Sequence, residues 1–486
     1  MSAAVEGLLA ALRSHGQRLA LVGAQQQLTY AQLLLEVQAR AERLHQLGAQ
    51  RLALALDNGI EWVLWDLAAL VAGVVCVPLP GFFSAAQQRH VLDNAGVDSL
   101  ISDQPASYQA LGFVPVGLEV LQRRPAQVPT LPVGTVKITY TSGTTGQPKG
   151  VCLDADVQLR VAQSLWQASA PCQVERHLCV LPLATLLENI AGIYAPLLAG
   201  ASIELLPLAE VGLKGASQFD LPSFLRSLNA VQPHSLILLP QLLLALVTAA
   251  ERGLPIPASL RFVAVGGGRV SAQLLARADA LGLPIYEGYG LSECASVVCL
   301  NTPLQRKIGT VGTPLTHVEV RLAADGEVLI KGAQMLGYLG EPGVADEWLA
   351  SGDLGHFDGA FLILHGRKKH QFISAFGRNV NPEWVESELV QQLPIAQAWL
   401  HGEALPANVA VLVPRFASST DAELAAAVAE VNRDLPDYAR AHHWLRAEQP
   451  FSDSNGLATS NGRLRRAALL THYQTAIEQL LVSEAL

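Results

Sequence analysis

The sequence predicts an α/β fold in more than one domain, with parallel sheets flanked by helices. Three observations lead there. Short apolar strand-like runs alternate with helix-like runs early in the chain, the pattern of parallel strands joined by covering helices. The 486 residues exceed one ordinary domain, and the 50% that are hydrophobic suffice for large buried cores. Further strand and helix signals, 409–413 and 422–433, continue the pattern late in the chain.

The opening MSAAVEGLLAALRSHG has neither a basic start nor a cleavage site, and reads as an amphipathic helix. Leu28-Thr29-Tyr30 begins a helix-like run to Leu47, with apolar residues three and four apart. Residues 52–56 form a strand candidate, Asp57-Asn58-Gly59 a turn, 61–72 a helix and 74–78 a second strand before Pro80-Gly81. Two apolar runs, 63–80 with Asp66 and Gly73 and 235–250 with Pro240, are too interrupted or short for a membrane span. Both read as buried strand and helix segments. Residues 262–265 form a strand, and Asp325-Gly326-Glu327 a hairpin turn. Asn381-Pro382-Glu383 starts a helix with proline in its first turn. Residues 409–413 read as a strand, Asp421 as the N-cap of a helix over 422–433, and Asn461-Gly462 as a hairpin between short strands.

A net charge of −9 argues against a nucleic-acid partner. The six cysteines include no C-x-x-C pair, so neither a zinc site nor a disulfide framework is indicated. Reduced thiols in a cytoplasmic protein fit best. No clear signal of oligomerisation is present, which leaves an oligomer open.

The stretch ITYTSGTTGQPKGV, residues 138–151, carries the chemistry. An apolar strand end leads into Thr141, Ser142, Gly143, Thr144, Thr145 and Gly146, then Pro148, Lys149 and Gly150. Glycines let backbone N–H groups close around a ligand, hydroxyls add donors, and Lys149 adds a full charge. That combination suits a polyphosphate. No G-x-x-x-x-G-K-[ST] pattern is present, so it is not a Walker A loop. Taken alone, a Gly/Ser/Thr cluster is usually only a loop.

Three more motifs follow: Gly266-Gly267-Gly268 after a strand, Tyr289-Gly290-Leu291-Ser292-Glu293, and Ser351-Gly352-Asp353. Together with the loop they resemble the adenylate-forming superfamily of acyl-CoA synthetases, luciferases and peptide-synthetase adenylation domains, nearest to fatty or aryl acyl-CoA ligases. The resemblance runs along nearly the whole chain. It implies a large N-terminal domain, 1–369, that binds ATP and the acyl group and includes a small barrel-like part. It also implies a small mobile α+β domain, 370–486.

By that resemblance, Thr141 to Gly146 and Lys149 hold the leaving pyrophosphate. Gly267 lets adenine lie against backbone, with Gly266 and Gly268 beside the substrate. Tyr289 stacks on adenine, with Gly290 beside it, and Ser292 donates to the α-phosphate. Glu293 helps hold Mg²⁺, a hard cation that prefers oxygen ligands. Asp353 accepts from both ribose hydroxyls, Arg367 contacts ribose or phosphate, and Lys369 is the hinge. Gly377 leaves room for a pantetheine arm in the second step. Lys368 reads as a solvated surface charge.

The chain departs from the family pattern at three places. No histidine follows Lys149-Gly150-Val151. Thr185 stands where relatives place a histidine or aromatic in the acyl pocket, which points to a wider or differently gated pocket. Arg463 follows the C-terminal glycine where relatives present a catalytic lysine; arginine keeps the charge on a broader, planar head. Arg465 or Arg466 is an alternative source of that charge. No acid is evident to hold a substrate ammonium, and a buried ammonium without a partner is costly. The acyl-pocket segments therefore favour a fatty or aryl acid.

The resemblance thus implies an ATP-dependent ligase that turns a carboxylic acid into an acyl-adenylate and then transfers the acyl group to CoA. A carrier-protein phosphopantetheine or an amine is the alternative acceptor. A nucleotide-binding regulatory protein with weakened catalysis is the alternative of another class.

Overall fold

The computed structural model describes residues 2–117, 120–141, 148–215, 218–341, 343, 346–459 and 462–483. The chain opens with the helix Ala3–His15, capped by Ser2, whose apolar side (Val5, Leu8, Leu9, Leu12) is buried. The helix Tyr30–Gln46 begins at a capping box made by Thr29 and Gln32, two orphan backbone donors satisfied reciprocally. It packs on Ile60–Ala72, which is buried on nearly every side and ends at left-handed Gly73.

Two large sheets organise the N-terminal part. The first has nine strands. Its centre is parallel, in the order Ile285–Leu291, Phe262–Val265, Ser235–Leu238, Arg176–Leu178, Ser202–Leu205 and Leu19–Gly23. The second has eight strands, with Lys137–Thr141, Val75–Pro78, Arg51–Ala55 and Ser99–Ser102 parallel. Strands buried on both faces read as continuous apolar runs, which is why 52–56, 74–78 and 262–265 were visible in sequence. The part expected to be barrel-like is built on a four-stranded antiparallel sheet: Glu319–Leu322, Glu327–Lys331, Leu349–Asp358 and Phe361–Arg367.

The C-terminal part places Ile395–His401, Asn408–Pro414 and Ala441–Arg446 in one sheet, with helices Pro382–Val390, Asp421–Asp434 and Arg466–Ser483. Among the described residues, the apolar clusters of this part involve only residues from Phe372 onward, and the others end at Leu364.

One local expectation needs correction. Thr420, not Asp421, caps the helix, because its hydroxyl and Glu423 form a capping box that a cap at 421 could not make. Asn461-Gly462 was expected between short strands, but Asn461 lies outside the described residues. Around it the pairing is a single bridge, Ala458 to Leu464.

A charged network is enclosed in the core. Lys137 Nζ lies 2.8 Å from Asp66 Oδ1, and both side chains are essentially without solvent. Tyr194 Oη and Asn189 Nδ2 donate to Asp66 Oδ2 at 2.7 and 3.0 Å. Lys137 also donates to Tyr194 at 3.0 Å and to Asn189. Asn189 and Tyr194 belong to the π-helix Glu188–Tyr194, a winding that is rare and appears mostly at functional sites. Among the described residues no helix is long and apolar enough to cross a membrane.

Candidate active site

A cavity of about 1900 Å³ opens where the ends of both large sheets meet the C-terminal part. Its wall includes Thr141, Lys149, Thr185, Tyr289, Glu293, Asp353, Arg367, Lys369 and Arg463. Strand ends supply most of these. Thr141 closes Lys137–Thr141 and Lys149 opens Lys149–Leu153, and the two residues pair directly across the hairpin. The expected phosphate-binding residues Ser142, Gly143, Thr144, Thr145 and Gly146 lie outside the described residues, between those two paired ends. Lys149 is half exposed; its Nζ sits 3.1 Å from Glu341 Oε1 and 5.2 Å from the centre of the Tyr338 ring.

Tyr289, Asp353 and Arg367 form one unit. The Tyr289 hydroxyl donates to Asp353 Oδ2 at 2.6 Å, and Arg367 Nε meets Asp353 Oδ1 at 2.8 Å. The Asp353 N–H donates to Ser351 Oγ at 3.0 Å. Burial raises the Asp353 pKa, opposed by Arg367 and the Tyr289 hydroxyl. Burial also drives the Tyr289 phenol well above its usual range, so it stays a donor. Glu293 lies in the short turn Ser292–Cys294 after the strand Ile285–Leu291, and its Oε1 accepts from Tyr338 Oη at 2.7 Å. Ser292 lines the cavity beside it.

Glycines let the walls come close. Gly267 has φ +75, and a Cβ there would lie 2.9 Å from Leu239. At Gly290 a Cβ would fall 1.7 Å from the Ser296 carbonyl oxygen, so no other residue fits between these two strands. Gly266 and Gly268 also line the cavity.

Arg463 enters from the C-terminal part. Desolvation and the Arg367 charge lower its pKa, while Glu293, Glu383 and Asp353 raise it. These neighbours place its guanidinium among the expected nucleotide-handling groups. Arg465 and Arg466 are engaged elsewhere, by Asp453 at 2.9 Å and Glu386 at 2.5 Å. Lys369 follows the strand Phe361–Arg367, and burial with Arg367 and Arg463 lowers its pKa. Lys368 reaches Asp325 and Glu327 on the surface. Gly377 is not brought to the cavity. It sits at φ +71 in an exposed turn between Phe372–Ile373 and Asn379–Val380, with nothing within 4 Å of an added Cβ.

Thr185 lines the cavity, and its hydroxyl donates back to the Pro182 carbonyl at 2.6 Å. The expectation that this region lacks a buried acid is corrected. Glu188, three residues on, is fully buried. Glu188 and Asn189 are visible in sequence as a polar pair resembling long-chain acyl-CoA synthetases, but their burial in the π-helix Glu188–Tyr194 is not. Sequence reasoning also missed Tyr338 on Glu293, and Glu383, which accepts from the Arg367 N–H at 3.1 Å. Neither belongs to a recognisable spacing.

Glu287 supplies a pH test. It is buried on the cavity wall, and its pKa is pushed up to about 8 by burial, against the Val270 N–H and Arg269. Unfolded Glu287 loses its proton near 4.5, whereas the folded side chain keeps it to about 8. Stability is therefore lost as pH rises between these values. Glu287→Gln should melt higher relative to the parent at the upper end of this window than at the lower end. Parallel melting curves across it would contradict this.

The family described as AMP-binding enzyme matches residues 8–339, and its C-terminal domain matches 369–485. The long-chain-fatty-acid–CoA ligase FadD15 of Mycobacterium bovis is 29% identical over 78% of this chain and 76% of its own length. A crystal structure of the anthranilate CoA ligase AuaEII with anthranoyl-AMP shares the fold at TM-score 0.82 and 19% identity, covering 98% of each chain. O-succinylbenzoate coenzyme A synthetase of Bacillus subtilis, solved with ATP and magnesium, shares it at TM-score 0.76 and 23% identity, covering 95% of this chain and 98% of that one. With two matches that together span most of its length, the chain belongs to the AMP-binding enzyme family.

Proposed function

We propose that the protein joins a fatty or aryl carboxylic acid to AMP, releasing pyrophosphate, and then passes the acyl group to CoA. The observation that carries this is the meeting of Tyr289, Asp353 and Arg367 with Glu293 and Arg463 around one cavity that Leu236, Ile237 and Phe262 also line. In the first step a carboxylate oxygen attacks the α-phosphorus of ATP and the bond to the bridging oxygen of pyrophosphate breaks. Such a step needs alignment and charge stabilisation more than covalent help.

Asp353, held by Arg367 and the Tyr289 hydroxyl, presents oxygens to the ribose diol. Lys149 and the hydroxyl loop after Thr141 take the pyrophosphate charge. Arg463 bridges the incoming carboxylate and the α-phosphate through its fork. The carboxylate of Glu293, oriented by Tyr338, is an oxygen ligand suited to Mg²⁺. When bound, the ion offsets phosphate charge. In the second step a thiolate sulfur attacks the acyl carbon and AMP leaves.

We place the two lobes at 1–369 and 370–486, turning at Lys369, so that the Arg463 loop withdraws before the thiol enters. Gly377, away from the cavity in the arrangement described, is then the residue carried in. All six cysteines are free thiols, which supports a reducing, cytoplasmic setting.

The test is ATP–pyrophosphate exchange against a panel of fatty and aryl acids, followed by mass detection of the thioester. Exchange dependent on acid and Mg²⁺, with acyl-CoA formed, is expected. No exchange with any acid, alongside retained ATP binding, would refute the reading. Acyl-carrier protein or amide in place of acyl-CoA would move the acceptor but keep the first step.

A further inference from the structure

Three side chains able to ligate a metal converge in the core beneath the π-helix. His177 lies on the strand Arg176–Leu178, Cys179 just follows that strand, and Glu188 opens the helix Glu188–Tyr194. One ligand atom from each lies within 4.8 Å of the other two. Among the described residues no other three His, Cys, Asp or Glu side chains converge in this way. All three are buried: His177 is 2% exposed, Cys179 and Glu188 0%.

The hydrogen bonds around the trio leave it incomplete. His177 Nδ1 and Ser235 Oγ are 2.9 Å apart, and Glu188 Oε1 accepts from the Val180 N–H at 3.2 Å. His177 Nε2 and Glu188 Oε2 have no hydrogen-bond partner. Buried polar atoms without partners are costly, and each calls for a reason. His177 Nε2 stands 3.7 Å from Glu188 Oε1, too far for a hydrogen bond. That separation fits two ligands of one ion, because donors bound to tetrahedral zinc stand about 3.3–3.8 Å apart. The Gly192 carbonyl oxygen, 3.6 Å from Cys179 Sγ, stands at the same spacing. Gly192 also keeps the centre clear: a Cβ there would lie 2.9 Å from Glu188 Oε1 and 3.0 Å from His177 Nε2.

We propose that His177, Cys179 and Glu188 bind a zinc ion as a buried structural site, apart from the Mg²⁺ ligand Glu293. Imidazole, thiolate and carboxylate are all zinc ligands, whereas magnesium takes oxygens alone. One thiolate and one carboxylate balance the two charges of the ion, so no net charge is buried. With Nδ1–H donating to Ser235 Oγ, the ring is fixed and the Nε2 lone pair is left for the metal, the outer hydrogen bond that metal-bound histidines make. Binding releases the Cys179 thiol proton to solvent. The donor atoms are shut from water, so the ion enters as the chain folds around it. It pins His177, on the cavity wall, to the helix that follows Thr185.

The experiment measures metal by mass spectrometry in the full chain, expressed with zinc and washed briefly with EDTA. About one zinc per chain is expected, and less than about a tenth of that in His177→Leu, Cys179→Ser and Glu188→Gln. Gly192→Ala, which removes no ligand side chain but fills the place of the ion, should lose it too. Glu293→Gln should keep it. Removing the metal with a stronger chelator should lower the melting temperature, and added zinc, not magnesium, should restore it. Protein loaded with Co²⁺ should show a thiolate-to-cobalt charge-transfer band. If the ligand variants fail to fold, that band and the zinc-dependent melting of the parent decide. A parent without zinc, without the band and with melting indifferent to zinc would overturn the proposal. Zinc retained in all three ligand variants would do so as well. None of these readouts depends on acid activation, so this inference and the reaction proposed above stand or fall separately.

Discussion

Arg463→Ala should lower acid-dependent pyrophosphate exchange by about 10²- to 10³-fold, the loss typical when one preorganised charge-stabilising donor is removed. The side chain is among Glu293, Glu383, Asp353 and Arg367. Among the described residues it forms no side-chain hydrogen bond or ion pair, whereas Arg465 and Arg466 are held by Asp453 and Glu386. It is therefore the arginine of this loop that can turn to a substrate. Arg463→Lys should recover all but about tenfold, because charge is kept while the planar fork is lost. Thioester formation from supplied acyl-adenylate should fall much less in Arg463→Ala than the first step does. If Arg463→Ala exchanged at the parent rate and Arg466→Ala did not, the role would pass to Arg466. Breaking the Arg466–Glu386 pair would then have to be separated from catalysis by a melting curve.

The motifs found in sequence are those whose chemistry sits in consecutive residues. Tyr289 to Glu293, and Ser351 to Asp353, are short strand-end segments whose backbone fixes where each side chain points. That is why Tyr289 and Asp353 could be singled out before their 2.6 Å hydrogen bond was seen. Contacts made across the fold were not legible. Tyr338 reaches Glu293 from 45 residues away, and no spacing announces it. Glu188 approaches His177, a residue 11 positions earlier on a different element, and no spacing announces that contact. The Thr420 cap was readable in principle, since Thr420-x-x-Glu423 is a capping-box pattern. The adjacent Asp421 offered an equally plausible oxygen and drew the assignment one residue too far. Helices and central strands, by contrast, came from apolar periodicity, which burial enforces over many residues at once.

Lys137→Met should destabilise the protein by about 3–5 kcal/mol, the usual cost of stripping the partner from a buried charge. Asp66 would keep the Tyr194 and Asn189 donors but lose the cation that balances it, 2.8 Å away. Asp66→Asn in the same chain should return part of the loss, because the amide oxygen still accepts from Tyr194 and no net charge remains buried. Denaturation midpoints of the two single variants and the double variant decide this, and strictly additive losses would sink it. The consequence reaches the active site. Lys137 opens the strand that ends at Thr141 on the cavity wall, while Asn189 and Tyr194 sit on the π-helix that carries Glu188. The buried charge thus ties the strand that ends at Thr141 to the π-helix that follows Thr185. In Lys137→Met at a temperature where it remains folded, both ends should loosen together. The KM for ATP and the KM for the acid should rise in parallel. A rise in one alone would show that the network supports only that side of the cavity.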